Sequence, residues 1–174
     1  MPDLRIAIMS DVHGEHRTLA RILERCQQQE VHRLVLLGDL FDRVDQIDQC
    51  IQQLDGWPVT GVLGNHERDA LEQRLDRKAD IAHLIEGHGE SLHLYEAVFL
   101  HDQLDRSLIN GSRIIFAGHT HVRQAIDDRG PLDISLGHIT LREDRRYVIN
   151  PGAVVEGQFA IWDRENQNVL FERI

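Results

Sequence analysis

Apolar and polar positions change rhythm halfway along the chain. The run LRIAIM over Leu4–Met9 predicts a short strand. Arg17–Gln29 follows with Leu19, Ile22 and Leu23 at helical spacing. RLVLLGD, from Arg33 to Asp39, is almost continuously apolar, as expected of a strand buried on both faces. Asp45–Leu54 predicts a second helix, with Ile47, Cys50, Ile51 and Leu54 on one face. Pro58–Leu63 predicts a third strand stopped by Gly64, His66–Arg77 a third helix, and Ala79–Glu90 a helix ending at Gly87. Strand, loop and helix thus recur three times, which predicts parallel strands joined by right-handed crossovers.

Beyond that point the apolar runs shorten. SLHLYE, AVFLH, RIIFAGH, ISLGHITL, RYVIN, QFAIWD and NVLFERI predict strands, and Asp128-Arg129-Gly130-Pro131 is a turn signal. No repeat, low-complexity tract or linker divides the chain. One domain over residues 1–174 is expected, built as two packed sheets with helices outside.

At 174 residues the chain is long enough for one sizeable core. Its balance of 29 acidic against 19 basic residues gives a formal net charge of −10, which argues against non-specific binding along nucleic acid. Aromatic content of 5% leaves little for base stacking, so Trp57 and Trp162 are expected in or beside the core. No run approaches a membrane span, and the N-terminus lacks the basic start and apolar core of a signal peptide. Cys26 and Cys50 are too few for a disulfide framework. A cytoplasmic location is expected. The oligomeric state is left open.

The polar interruptions carry the chemistry. Five strings hold oxygen or imidazole donors, most of them directly after an apolar run. They are Asp11-Val12-His13, Gly38-Asp39-Leu40-Phe41-Asp42-Arg43, Gly64-Asn65-His66-Glu67, His101, and Gly118-His119-Thr120-His121. Strand ends of an open α/β sheet are where such donors converge. Mixed Asp, Asn and His donors suit Mn, Fe or Zn better than Ca. Asp11 and His13, two apart on an extended segment, reach one ion. Gly38 allows a sharp turn, and the two oxygens of Asp39 are able to bridge two cations. Arg43 reads either as a surface salt bridge or as a bidentate phosphate clamp. Of Asn65 and His66, one serves a metal while the other faces substrate. His119 and His121, one residue apart after the apolar run RIIFA, are able to ligate two different ions, although such a pair standing alone would read as a core or surface pair. Five of the eleven histidines fall in these strings; the other six (His16, His32, His83, His88, His93 and His138) read as solvent-facing.

The ordered set DxH, GDxxDR, GNHE, H, GHTH resembles the calcineurin-like metallophosphoesterase superfamily. Asn150-Pro151-Gly152 resembles a further turn of its small bacterial members, so the likeness spans nearly the whole chain. The Arg of GDxxDR and the Glu of GNHE resemble the serine/threonine phosphoprotein phosphatase branch and its bacterial relatives. The resemblance implies an α/β (α+β) fold, a four-layer αββα sandwich of two mixed sheets. It implies a phosphoesterase with two divalent ions, manganese foremost among Mn, Fe, Zn, Co and Ni. Asp11, His13, Asp39 and His121 would hold the first ion, and Asp39, Asn65, His101 and His119 the second. A bridging hydroxide would attack phosphorus. His66 would be the general acid, oriented by Asp42, and Arg43, Asn65 and His66 would contact the phosphate. One departure is Asp102, where the family usually has Gly after the fourth-motif His. Phosphate mono- and diesters both remain open as substrates. Little chain separates His66, His101 and His119, which leaves little room for a cap domain; the site is expected to be open, and an open site favours extended or macromolecular phosphates. The rival reading is a non-catalytic scaffold on the same fold, acting through protein contacts.

Overall fold

The computed structural model describes residues 4–72, 91–102 and 111–174. Strands β1 (Arg5–Met9), β2 (Arg33–Leu36) and β3 (Val59–Gly61) alternate with helices α1 (His16–Gln28), α2 (Ile47–Leu54) and α3 (Asn65–Glu72). Strands β4 (Ser91–Leu94), β5 (Ala97–Leu100), β6 (Ile114–Ala117), β7 (Gln124–Asp127) and β8 (Gly130–Pro131) follow. The chain ends with β9 (His138–Thr140), β10 (Tyr147–Asn150), β11 (Gln158–Asp163) and β12 (Asn168–Arg173). They form two six-stranded mixed sheets, β3-β2-β1-β11-β12-β9 and β4-β5-β6-β10-β7-β8. The three early strands are parallel, as the strand–helix alternation predicts.

In the first sheet β1, β2 and β11 are buried on both faces, and period-two side-chain alternation explains why they read as nearly unbroken apolar runs. Ala7 and Met9 of β1, Leu34 and Leu36 of β2, and Phe159 and Ile161 of β11 pack with Leu19, Ile22 and Cys26 of α1 and Ile47 and Cys50 of α2. Their neighbours Ile6, Ile8, Val35, Ala160 and Trp162 face the second sheet. There Phe99 stacks on Phe116 at 5.3 Å between centroids, and Phe116 meets Trp162 at 5.5 Å. Trp162 is fully buried and Trp57 packs half-buried against the first core, both as expected. Val98, Leu100 and Ile115 form a third, smaller cluster, from alternate positions of the second sheet. Burial pushes the Cys26 and Cys50 thiols up to about 12, which leaves both as core residues.

The structure departs from the sequence pattern in four places. The second helix begins as a 3₁₀ turn, Val44–Gln46. The strand expected over Ile134–Leu141 covers only His138–Thr140, because Ser135 N–H donates to Asp133 Oδ1 and Gly137 N–H to the Ile134 carbonyl, closing a turn first. Strand β7 has no apolar alternation to announce it. Its register opposite β10, Ile149 against Ala125, and the ion pair of Asp127 with Arg145 hold it instead. The third helix begins at Asn65 and is described as far as Glu72, and the helix expected over Ala79–Glu90 lies outside the described residues. Among the described residues no helix is long and apolar enough to cross a membrane.

Candidate metal centre

The loops after β1, β2, β3, β5 and β6 meet at the C-terminal ends of these parallel strands. Val12 and His13 donate their N–H groups to the Asp39 carbonyl, at 2.8 and 3.0 Å, locking the first two loops together. The third loop joins through Glu67, whose carboxylate accepts N–H bonds from Asp39 (2.8 Å), Leu40 (2.6 Å) and Gly64 (2.8 Å). Burial and the nearby Asp39 charge push the Glu67 carboxyl above the usual carboxylate range, and these three donors offset that only in part. Gly38 has φ +96°, and a Cβ there would run into the backbone of Gly64 and the His101 ring. The two sheets are joined at the site by Asp11 Oδ2, which accepts the His119 N–H at 3.1 Å. Asn150 Nδ2 donates to the Gly118 carbonyl and to Thr120 Oγ1, bracing the GHTH loop.

Eight described non-glycine residues have positive φ, and five of them are Asp11, His13, Asp39, His119 and His121. Left-handed backbone is uncommon for such residues and concentrates where function demands it.

The side chains gather in three groups. In the first, His13 Nε2 and His121 Nε2 are 3.1 Å apart, and Asp11 Oδ1 is 3.5 Å from His121 Nε2. Asp11 Oδ1 is buried with no hydrogen-bond partner. In the second, His101 Nε2 faces Asn65 Oδ1 at 3.1 Å, His119 Nδ1 at 3.2 Å and Asp39 Oδ2 at 3.3 Å. The Leu37 carbonyl, 2.7 Å from His101 Nδ1, is an acceptor and so takes the proton of that nitrogen. Burial opposes a charge on Asp39 and His101 alike. Their mutual pairing outweighs it, holding the Asp39 carboxyl below the usual carboxylate range and raising the His101 imidazole. The third group is His13, Asp42 and His66: Asp42 Oδ1 is 2.5 Å from His13 Nδ1 and 3.5 Å from His66 Nδ1.

All ten expected site residues therefore lie in these loops or at the start of α3. Nine fall in the three groups, with Asn65 set against His101. Asp39 keeps company with His101 and His119, and its Oδ1 accepts the His66 N–H at 3.1 Å. Arg43 stands apart. Its guanidinium forms the salt bridge that was one of its two readings, to Asp45. Of the remaining histidines, His32, His93 and His138 are exposed, His16 is half-buried, and His83 and His88 lie outside the described residues.

Groups of residues that could hold a metal ion agree with the resemblance carried by the motifs, and a family model for the calcineurin-like phosphoesterase superfamily domain matches residues 4–166. The chain belongs to the calcineurin-like phosphoesterase superfamily. An uncharacterized protein of Methanocaldococcus jannaschii is 23% identical, across 97% of this chain and 86% of that protein. Serine/threonine-protein phosphatase 1 of Salmonella typhimurium is 35% identical, over 42% of this chain and 35% of its own length. A metallophosphoesterase from Sphaerobacter thermophilus has the same fold, with a TM-score of 0.74 at 21% identity, covering 98% of this chain and 88% of that one. In this member of the calcineurin-like phosphoesterase superfamily, Glu67 and Asn150 are residues whose part the sequence does not disclose. Both appear there only as motif letters, because what they bind is backbone brought close by folding.

Proposed function

We propose that this protein is a dinuclear metal-dependent phosphoesterase that hydrolyses phosphate mono- or diesters. The observation that carries the reading is the convergence of oxygen and imidazole nitrogen atoms able to bind a cation. A buried, partnerless Asp11 oxygen sits beside two imidazole nitrogens, and His101 Nε2 faces three further donors. Lone pairs so placed repel one another unless a cation or a proton lies between them.

Asp11, His13, Asp39 and His121 would hold one ion, and Asp39, Asn65, His101 and His119 the other. Ions bound there would lower the pKa of water to give a nucleophile near neutral pH and would neutralise phosphoryl charge. Imidazole, amide and carboxylate together suit manganese, with Fe, Zn, Co and Ni as alternatives. His66 protonates the departing alkoxide. Asp42, 3.5 Å from His66 Nδ1, orients that ring. Asp42 also receives His13 Nδ1, which turns His13 Nε2 toward Asp11 and His121. Arg43 grips the phosphate, with Asn65 and His66 beside it.

The test is a chelated sample reloaded with manganese and assayed on p-nitrophenyl phosphate and bis-p-nitrophenyl phosphate. Metal-dependent turnover of either ester is expected. Failure on both, at full metal occupancy, would leave the scaffold reading in its place.

A further inference from the structure

The guanidinium expected to hold phosphate is already gripped from within the chain. Arg43 Nε donates to Asp45 Oδ1 at 3.0 Å and Nη2 to Asp45 Oδ2 at 2.7 Å, the parallel two-bond fork by which arginine meets carboxylate or phosphate. The backbone beneath is fixed. Gln46 Oε1 accepts the N–H groups of both Asp42 and Arg43 at 3.0 Å, and the Gln46 side chain packs over Gly14, next to His13. The paired side chains are themselves open to solvent, at 70% and 66% exposure. The loop is thus tied to the site, while the Arg43–Asp45 pair can open at little cost.

We propose that Asp45 is a specificity-determining residue, an internal carboxylate that competes with substrate for Arg43 and so blunts the preference that an Arg43 grip would give phosphate monoesters over diesters. This deepens the proposed function and rests on Arg43 as the phosphate grip. A monoester above its second pKa, near 6, carries two charges and three terminal oxygens. A diester carries one charge and two terminal oxygens, the same offer as Asp45. The dianion therefore displaces Asp45 and loses affinity by the fraction of molecules in which the pair is closed. A diester gains little by displacing it, binds with the pair largely intact, and loses less. Asp45 thus weighs more heavily on the substrate that uses Arg43 best.

The experiment compares Asp45→Asn with the parent, manganese-loaded, on p-nitrophenyl phosphate and bis-p-nitrophenyl phosphate, with inorganic phosphate as competitive inhibitor. For an exposed pair the monoester KM should fall about twofold to fivefold at unchanged kcat. The inhibition constant of phosphate should fall with it, and the diester KM should fall by less. In an Arg43→Ala background, Asp45→Asn should change none of these. An equal fall on both esters, or a fall that persists without Arg43, would show only the loss of a negative charge and overturn the proposal. So would an unchanged monoester KM in a protein whose Arg43→Ala variant binds monoester poorly. If Arg43→Ala binds monoester normally, the phosphate-grip reading fails instead. If the parent turns over neither ester, the proposed function falls and this inference with it.

Discussion

The buried carboxylate of Glu67 accepts the backbone N–H of Asp39 at 2.8 Å, fixing a left-handed residue from 28 positions away. The same carboxylate takes the N–H groups of Leu40 and Gly64. In Glu67→Gln, whichever way the amide turns, its NH₂ must face one of these donors. Leaving a buried donor unsatisfied costs about 1–3 kcal/mol. The variant should melt lower and bind less metal than the parent. Thermal melts with and without manganese check this, and parent-like values of both would deny Glu67 its anchoring part.

The pairing of Asp39 with His101 sets a pH dependence in the metal-free protein. His101 is raised above 6.5, so its contribution to stability is complete below 6.5 and is lost as pH rises through its folded value. Asp39 is lowered below 3.8, so its contribution is present above 3.8 and is lost as pH falls through its folded value. The pair therefore supports the metal-free fold most between those two limits. Melting curves from mildly acidic to alkaline pH should show stability declining above 6.5, and His101→Gln should flatten that decline. Parallel curves for the two proteins would contradict it.

Most of the fold and the outline of the site are legible in the sequence, for physical reasons that also mark where legibility ends. Ile6–Met9 and Leu34–Leu37 read as strands because burial on both faces makes every position apolar. The donor strings stand out because Asp, Asn and His interrupt those runs where the strands end. Strand β7 is hidden because partner strands and the part-buried Asp127–Arg145 pair define it, with only Ala125 and Asp127 of its residues buried. The role of Glu67 is hidden because its partners are backbone N–H groups, which the sequence does not spell. The sharing of Asp42 between His13 and His66 is hidden too, since no spacing rule relates positions 13, 42 and 66.

Arg43 lies at the surface, so Arg43→Ala should leave the melting temperature nearly unchanged. Loss of a bidentate charge-assisted contact should raise the monoester KM on the order of tenfold to a hundredfold. Steady-state kinetics beside a thermal melt separate the two readings of this residue. Normal kinetics with a large stability loss would make it a structural salt bridge.

His66→Ala should keep its metal and lose activity according to the leaving group. A poor alkoxide needs a proton as it departs, whereas p-nitrophenolate does not. General acids contribute about 10²–10⁴-fold, so turnover of alkyl phosphates should fall by that order and p-nitrophenyl esters by much less. Equal losses on both substrate types, or loss of an ion, would give His66 another role.

The account stands on two ions sharing Asp39, and metal content measures that most directly. Elemental analysis of manganese-loaded protein should find two ions per chain. In Asp39→Asn it should find the content lowered by more than one ion, with activity abolished. Two ions still bound at full occupancy in that variant would contradict the shared carboxylate and the dinuclear centre built on it.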